Sequence, residues 1–580
     1  MAPDPRQQMI PVHLNIFIGF GILALLILAP LVFSWYVSGP VHAPPPAPAV
    51  QVKILAINDF HGQITPGQTL NKRPVGGIPV LASYLNAAMA SKDTDGVIIA
   101  LPGDVVGASP PESGLLLDEP ALLFFNTYAN PYCSIGSKSL ENSCNMVATP
   151  GNHEFDKGIP ELMRKINGGN GATTITHLVD PYPGSKTPYV CANVVWKANN
   201  TPVFPPYTLK NISGVQVAFI GADTTDTPRI QKSPDVRDLI FLDEAESINR
   251  YIPEIQNQGV HAMVVLLHEG GSQIAYEGPT QANGTVTGRV ATIIPRLDSD
   301  IDVVLSGHTD AFINAYLTNA GGNPVLVTEA YNYGRAYADI DLIIDRATGE
   351  IVNKSARIIP TYANESFGTS PDPAAVAFLA DDRKAIAPEV NRMIGVAAQD
   401  LNRDQTPAGE SALGDLVADS QRAAMKTDVA FMNHGGVRAY LAKGNVTWGN
   451  LYSVQPFADT VLSMTLTGEE IKRVLEQQWL EPLPPKNLVV SGLRYTWDAA
   501  RPPGSKVTDV KIQGSSLDPE RIYTVSTVYF LAGGGDGYTT LREGQNITYG
   551  PSDVDALVAY VQSLPQPLNI TTDGRIQRIN

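Results

Sequence analysis

The sequence predicts an α/β protein of two domains behind one N-terminal transmembrane helix, and three observations predict it. At 580 residues the chain exceeds one comfortable hydrophobic core. Five short apolar runs in the first 310 residues, interleaved with plausible helices, read as buried parallel strands. Ile16 to Val37 is apolar or small apart from Ser34 and carries no charge. A helix of about 22 residues spans roughly 33 Å, enough for a hydrocarbon core.

Residues 1–15 read as a short cytoplasmic tail, since Arg6 is the only Lys or Arg before the span and favours the N-terminus inside. Residues 16–37 are the anchor, and 38–50 form an extended proline-rich spacer. Val41-His42-Ala43 resembles a small-residue cleavage site, so secretion after signal cleavage is the alternative. A cleaved signal usually has an apolar region of only about 7–15 residues, which favours the anchor. The rest of the chain is then expected outside the cytoplasm. Eight Asn-X-Ser/Thr sequons, beginning at Asn199, Asn211, Asn283, Asn353, Asn364, Asn445, Asn546 and Asn569, all follow the anchor. They fit a glycosylated ectodomain, or chance in an Asn- and Thr-rich chain. Cys133 and Cys144 flank a polar loop and can bridge if the protein is exported, leaving Cys191 without a partner.

The first domain is expected over 51–360, where strand-like runs alternate with helices at Gly77–Ala90 and Asp243–Gln258. A connector follows over 361–394, with a loop and then a helix at Pro373–Ile394. The second domain, 395–580, reads as α+β. It holds helices at Ala412–Met425 and Gly468–Gln478, and strands at Asp428–Met432 and Ile522–Phe530. Hydrophobic residues make up 43% and charged residues 17%, an ordinary globular balance. The formal net charge of -16 disfavours a nucleic-acid polymer as partner, because phosphate backbones attract basic surfaces. It leaves open a small anionic substrate held by metal ions and a few arginines.

Each of the five apolar runs leads to a potential metal ligand. Val52–Ile57 runs into Asp59 and His61, and Val97–Leu101 into Gly103-Asp104. Met146–Ala148 leads to Asn152 and His153, Ala262–Leu267 to His268, and Ile301–Leu305 to Gly307-His308-Thr309-Asp310. Functional groups gather at the carboxyl ends of strands in α/β sheets, so one site is the economical reading. Carboxylate, imidazole and amide donors without thiolate suit Zn²⁺, Mn²⁺ or Fe and not a copper–thiolate centre. No CxxC pair exists, which argues against a Cys-ligated zinc. Taken singly, a Gly-Asp is usually a turn and a His after a strand usually structural. Four of the nine histidines, His61, His153, His268 and His308, close or follow such runs, and that joint pattern carries the metal reading. Two metals about 3.5–4 Å apart need a bridging carboxylate, and Asp104, on a strand end after a glycine, is the natural bridge.

Asn58-Asp59-Phe60-His61-Gly62, then Gly103-Asp104, Gly151-Asn152-His153-Glu154-Phe155-Asp156, His268 and Gly307-His308 together resemble the calcineurin-like metallophosphoesterases. Their longer forms resemble one branch, the 5′-nucleotidase, UDP-sugar hydrolase and 2′,3′-cyclic phosphodiesterase family. Glu410-Ser411-Ala412-Leu413-Gly414-Asp415-Leu416, Asn433-His434-Gly435-Gly436-Val437-Arg438 and Gly534-Gly535-Asp536-Gly537-Tyr538 are similar to its C-terminal signatures. The likeness covers all of Gln51–Asn580. It implies a four-layer α-β-β-α sandwich followed by a substrate-binding domain.

It also implies two divalent metal ions, Zn, Mn or similar. One would sit on Asp59, His61, Asp104 and Asp310, the other on Asp104, Asn152, His268 and His308. His153 and Asp156 resemble the family's catalytic dyad, and a hydroxide supplied at the metals would attack phosphorus. Phe457 and Phe530 would stack on either face of a base. Arg438 would meet the phosphate end, Asn433 the base or its surroundings and Asp536 the ribose hydroxyls, and Gly436 is a further substrate-binding position.

Two departures stand out. Asp310 replaces an amide or histidine common in the family. Asp404–Gly409 lacks the arginines that members with strong nucleoside 5′-monophosphate preference often carry just before Glu410, and Arg403 does not align with them. The activity implied is release of phosphate from nucleoside 5′-monophosphates, with di- and triphosphates as a wider option. The alternatives are 2′,3′-cyclic phosphodiesterase with 3′-nucleotidase activity, UDP-sugar hydrolysis, and, from another class, a nucleotide-binding ectodomain that has lost catalysis.

Overall fold

Strand Val50–Ala56 lies at the middle of a five-stranded sheet, in the order Ile351–Pro360, Ala336–Ile344, Val50–Ala56, Gly96–Pro102, Met146–Thr149. It runs parallel to Gly96–Pro102 and antiparallel to Ala336–Ile344. A second sheet of six strands follows the order Phe312–Thr318, Pro324–Ala330, Val303–Ser306, Ala262–His268, Val215–Asp223, Tyr207–Ile212. The computed structural model describes residues 49–580 apart from 137–139, 174, 231–235, 283, 458 and 480–484. The expected tail and anchor, and nearly all of the spacer, lie outside the described residues. Among the described residues no helix is long and apolar enough to cross a membrane.

The alternation of side chains along a strand sets the layering. Val52, Ile54 and Ala56 share one core with Val217, Phe219, Val264 and Leu266 of the second sheet. Leu55, Ile99 and Leu101 point the other way, under helices Ile78–Met89 and Glu119–Asn126. Val265 and Leu267, on the far face of the second sheet, pack against Ile248, Ile252 and Ile255 of helix Glu244–Gln256. The result is four layers, α-β-β-α. Strands buried on both faces explain why the runs are continuously apolar instead of alternating. The five runs that lead to the expected ligands divide three and two between the sheets.

Local signals set several helix starts. Asp243 caps Glu244–Gln256 by accepting from the Glu246 N–H at 3.0 Å. Asp372 caps the connector helix Pro373–Val390 by accepting from the Ala375 N–H at 2.8 Å. That helix was expected to reach Ile394 but ends at Val390. Met393–Ala397 is instead a strand, paired antiparallel with Gly444–Thr447, so regular structure of the second domain begins before residue 395. The apolar Met393-Ile394 satisfies either element, and the pairing with a strand about 50 residues away is invisible locally. Cys133 and Cys144 form a disulfide, and Cys191 is buried and free.

The second domain is built on a five-stranded sheet, Leu488–Ser491, Val429–Asn433, Ile522–Val528, Thr460–Thr467, Gln545–Ser552. Helix Ala412–Met425 shares its core, through Leu413, Leu416 and Val417. Ser411 caps that helix, accepting from the Gly414 N–H.

One buried group in the connector has no partner. Asp382 is fully buried, and neither carboxylate oxygen finds a hydrogen bond among the described residues. Burial, with Glu112 nearby, pushes its pKa up to about 8. The folded state therefore holds a proton that the unfolded chain releases near pH 4. Stability is highest below the unfolded pKa and falls as pH rises toward the folded one. Asp382→Asn is expected to raise the unfolding free energy by about 1–2 kcal/mol at pH 8 and by much less at pH 5. Equal effects in denaturant melts at the two pH values would refute this.

Candidate active site

The strand ends reach the site through unusual turns. Asp59, His61, Asp104, His308 and Asp310 have φ of 50°, 49°, 51°, 77° and 59°. Non-glycine residues seldom take this left-handed region, and strain of this kind persists only where the surroundings fix it. Two glycines allow the close approach. A Cβ at Gly103 would lie 2.2 Å from His268 Nδ1, and one at Gly151 2.3 Å from Asp104 Oδ1.

Backbone carbonyls fix the imidazoles. His61 Nδ1–H donates to Gly107 O and His268 Nδ1–H to Pro102 O, each at 3.0 Å, so both Nε2 atoms face inward as acceptors. Asp104 Oδ2 lies 3.7 Å from His61 Nε2 and 3.1 Å from His268 Nε2. Asn152 Oδ1 lies 3.2 Å from His268 Nε2 and 2.9 Å from His308 Nδ1. Asp59 accepts from Asn58 Nδ2 at 2.7 Å and from the His308 N–H at 2.9 Å.

Donor atoms of Asp59, His61 and Asp310 lie within 4.8 Å of one another, and so do those of Asp104, His268 and His308. The set fits divalent cations on charge as well as on donor type. Burial, with Asp310 and Asp104 nearby, pushes the Asp59 carboxyl well above the usual carboxylate range. Asp310 Oδ1 is buried without a hydrogen-bond partner among the described residues. Converging buried carboxylates with an orphaned oxygen are the pattern a cation relieves. The seven expected ligands are thus brought together, Asp310 included.

His153 stands beside this cluster. Its Nδ1–H faces both Asp156 carboxylate oxygens at 3.0 Å, and its backbone N–H donates to Asp104 Oδ1 at 2.8 Å. Burial opposes a charge on the ring, but Asp156 and Asp104 outweigh it and raise the pKa to about 9. A ring nitrogen of His153 also falls within 4.8 Å of donor atoms of His61 and Asp104, so geometry alone permits it a ligand's place.

A cavity of about 410 Å³ joins the two domains' contributions. From the first domain His61, Asp104, Asn152, His153, His308 and Asp310 line it. Asp59 and His268 stand fully buried behind. From the second come Asn433, Gly436, Arg438, Phe457, Phe530 and Asp536. The Phe457 ring stacks on His153, centroids 6.0 Å apart at 18°, and the Arg438 guanidinium lies 5.8 Å from the same ring. Asn433 Nδ2 donates to Asp536 Oδ2 at 2.7 Å.

Several residues of the site were not singled out from sequence. Glu154 accepts backbone N–H groups of Gly151, Asp104 and Val105 at 2.6, 2.9 and 2.9 Å, tying two ligand loops together. Its place in the Gly-Asn-His-Glu run was the available signal. Lys486 pairs with Asp536 Oδ1 at 2.7 Å, and nothing in its sequence context marks it. Arg403, out of register in sequence, is brought in by the fold. Its Nη2 lies 3.3 Å from His434 Nε2 and its Nη1 donates to Arg438 O at 3.4 Å. Burial, then the Arg438 charge, lowers the Arg403 pKa, which marks two neighbouring guanidiniums.

Comparison with known proteins gives a consistent picture. The calcineurin-like phosphoesterase signature matches residues 52–311, and that of the 5′-nucleotidase C-terminal domain matches 391–543. The chain is 34% identical over 543 residues to endonuclease YhcR of Bacillus subtilis, covering 92% of this chain and 41% of that protein. It is 33% identical over 557 residues to cell wall protein Lmo0130 of Listeria monocytogenes, covering 89% and 67%. The chain therefore spans less than half of the first relative and two thirds of the second. The solved 5′-nucleotidase precursor from Thermus thermophilus superposes with a TM-score of 0.70 at 26% identity, over 91% of this chain and 99% of that one.

Proposed function

This chain belongs to the 5′-nucleotidase family of metal-dependent phosphohydrolases, and from that premise we propose that it releases phosphate from nucleoside 5′-monophosphates at a two-metal site. The observation that carries the substrate reading is the shared cavity. It runs from the buried donor cluster to two phenylalanines and a paired Asn433–Asp536. The donor cluster suits a phosphate, the Asn433–Asp536 pair a ribose, and the two phenylalanines a flat base.

Asp59, His61, Asp104 and Asp310 would hold one cation, and Asp104, Asn152, His268 and His308 the other. Divalent ions held there supply charge neutralisation at the phosphoryl oxygens and acidify water. His153, with Nδ1–H committed to Asp156, keeps an Nε2 proton and a positive charge toward the cavity. There it stabilises charge that grows during phosphoryl transfer. Arg438, with Arg403 beside it, meets the phosphate end. Asp536 accepts from the ribose diol, and Lys486 and Asn433 orient its carboxylate. Phe457 and Phe530 hold the base by stacking, which tolerates base identity.

Phe457→Ala and Phe530→Ala are each expected to raise KM for AMP about tenfold or more with a small change in kcat, since base stacking contributes about 1–3 kcal/mol. Unchanged KM values would remove the clamp from the account. The substrate itself is tested by comparing kcat/KM on AMP, 2′,3′-cyclic AMP and UDP-glucose. AMP is expected to lead. A lead for the cyclic nucleotide would replace this reading with the phosphodiesterase one.

The catalytic part is placed outside the cytoplasm, a reading the Cys133–Cys144 disulfide supports. Protease shaving of intact cells tests it, because a protected catalytic part contradicts it.

A further inference from the structure

We propose that Tyr333 is a positioning residue that aims Arg438 at the phosphate end of the cavity; this rests on the phosphohydrolase reading above. Tyr333 follows strand Pro324–Ala330 in the turn that leads to Ala336–Ile344. Tyr331 and Tyr333 both have φ of 59°. An aromatic residue takes that conformation at a cost, and two within three residues call for a reason.

The turn is pinned to the ligand-bearing loop. The Tyr333 N–H donates to Asp59 O at 2.7 Å. Asn58 Nδ2, which also holds the Asp59 carboxylate, donates to Tyr331 O at 2.5 Å. The Tyr333 ring meets His61 edge-on, centroids 5.7 Å apart at 69°. Arg335 lies 5.9 Å from the ring centroid. Backbone and ring are therefore referenced to two expected metal ligands, Asp59 and His61.

The hydroxyl faces the other domain. Tyr333 Oη accepts from Arg438 Nη2 at 3.2 Å. Arg438 also donates to Gly435 O at 3.4 Å, and its guanidinium lies 5.8 Å from the Phe457 ring centroid. No carboxylate pairs with Arg438 among the described residues. Neutral acceptors and a ring face hold the guanidinium in place without cancelling its charge, so the charge stays available to an anion. A carboxylate in place of the tyrosine would hold the arginine equally well and compete with the phosphate. The geometry thus links metal shelf, tyrosine and arginine in one chain of contacts across the two domains. Tyr333 acts through Arg438 and needs no contact with substrate.

Tyr333→Phe separates this role from a structural one, because the backbone, ring and His61 contact survive and only the acceptor is lost. With full-length protein and AMP, Y333F is expected to raise KM about tenfold, with kcat changed less than about twofold and bound metal unaltered. In an Arg438→Ala background the same substitution is expected to change kcat/KM less than twofold, as a double-mutant cycle requires of two residues acting as one unit. An unchanged KM in Y333F would overturn the proposal, and so would effects that multiply independently in the double variant. A fall in kcat with loss of metal would also overturn it, placing the role at His61. Wild-type protein that fails to hydrolyse AMP would instead count against the functional reading on which this rests.

Discussion

Asp104→Asn is expected to lower kcat/KM for AMP by on the order of 10⁴-fold or more and to cut bound metal from two ions per chain to one or none. The reason is position. Asp104 Oδ2 lies between His61 Nε2 and His268 Nε2, and the residue is 2% exposed at the meeting point of both donor groups. Asparagine keeps Oδ1 as an acceptor for the His153 N–H, so the loop should survive and the loss should be chemical. Elemental analysis beside AMP turnover measures both quantities. Full metal content with near-normal turnover would remove Asp104 as the bridge.

His153→Ala is expected to behave differently, losing about 10²–10⁴-fold in kcat while both metals stay bound. His153 Nδ1 is committed to Asp156, and the ring stacks on Phe457 in the cavity wall. That placement suits a group acting on the phosphoryl oxygens. Its donor atom is nevertheless near His61 and Asp104, so a ligand role makes a distinct prediction. Metal lost in step with activity would assign His153 to the metals and leave the dyad without support.

The contrast between these residues shows which parts of the site the sequence displayed. Asp59, His61, Asp104, His268 and His308 each follow a strand that is apolar because it is buried on both faces. Burial pattern and ligand are then adjacent in the chain, and the pattern points at the ligand. The helices at Ile78–Met89, Glu244–Gln256 and Ala412–Met425 were legible from local signals too: a proline in the first turn of the first, and capping side chains of Asp243 and Ser411 at the other two.

What was hidden depends on contacts between distant segments. The end of the connector helix at Val390 follows from pairing of Met393–Ala397 with Gly444–Thr447. Arg403 reaches Arg438 across 35 residues of sequence, so its failure to align with a motif says little about where its guanidinium ends up. Lys486 reaches Asp536 across 50 residues. Tyr333 reaches Arg438 across 105, and its left-handed backbone has no sequence signal because tyrosine is a poor choice for it. The residues of the buried donor cluster were therefore largely readable. Arg438 and Asp536 were readable by resemblance, but Arg403, Lys486 and Tyr333, which contact them, were not.

The central claim, that this protein hydrolyses nucleoside monophosphates with divalent metal, is tested most directly by phosphate release from AMP. The protein is stripped of metal and then given Mn²⁺ or Zn²⁺. The account predicts no release from the stripped protein and restored release with metal. AMP that binds the metal-loaded protein but is not hydrolysed would contradict it and leave a nucleotide-binding ectodomain in its place.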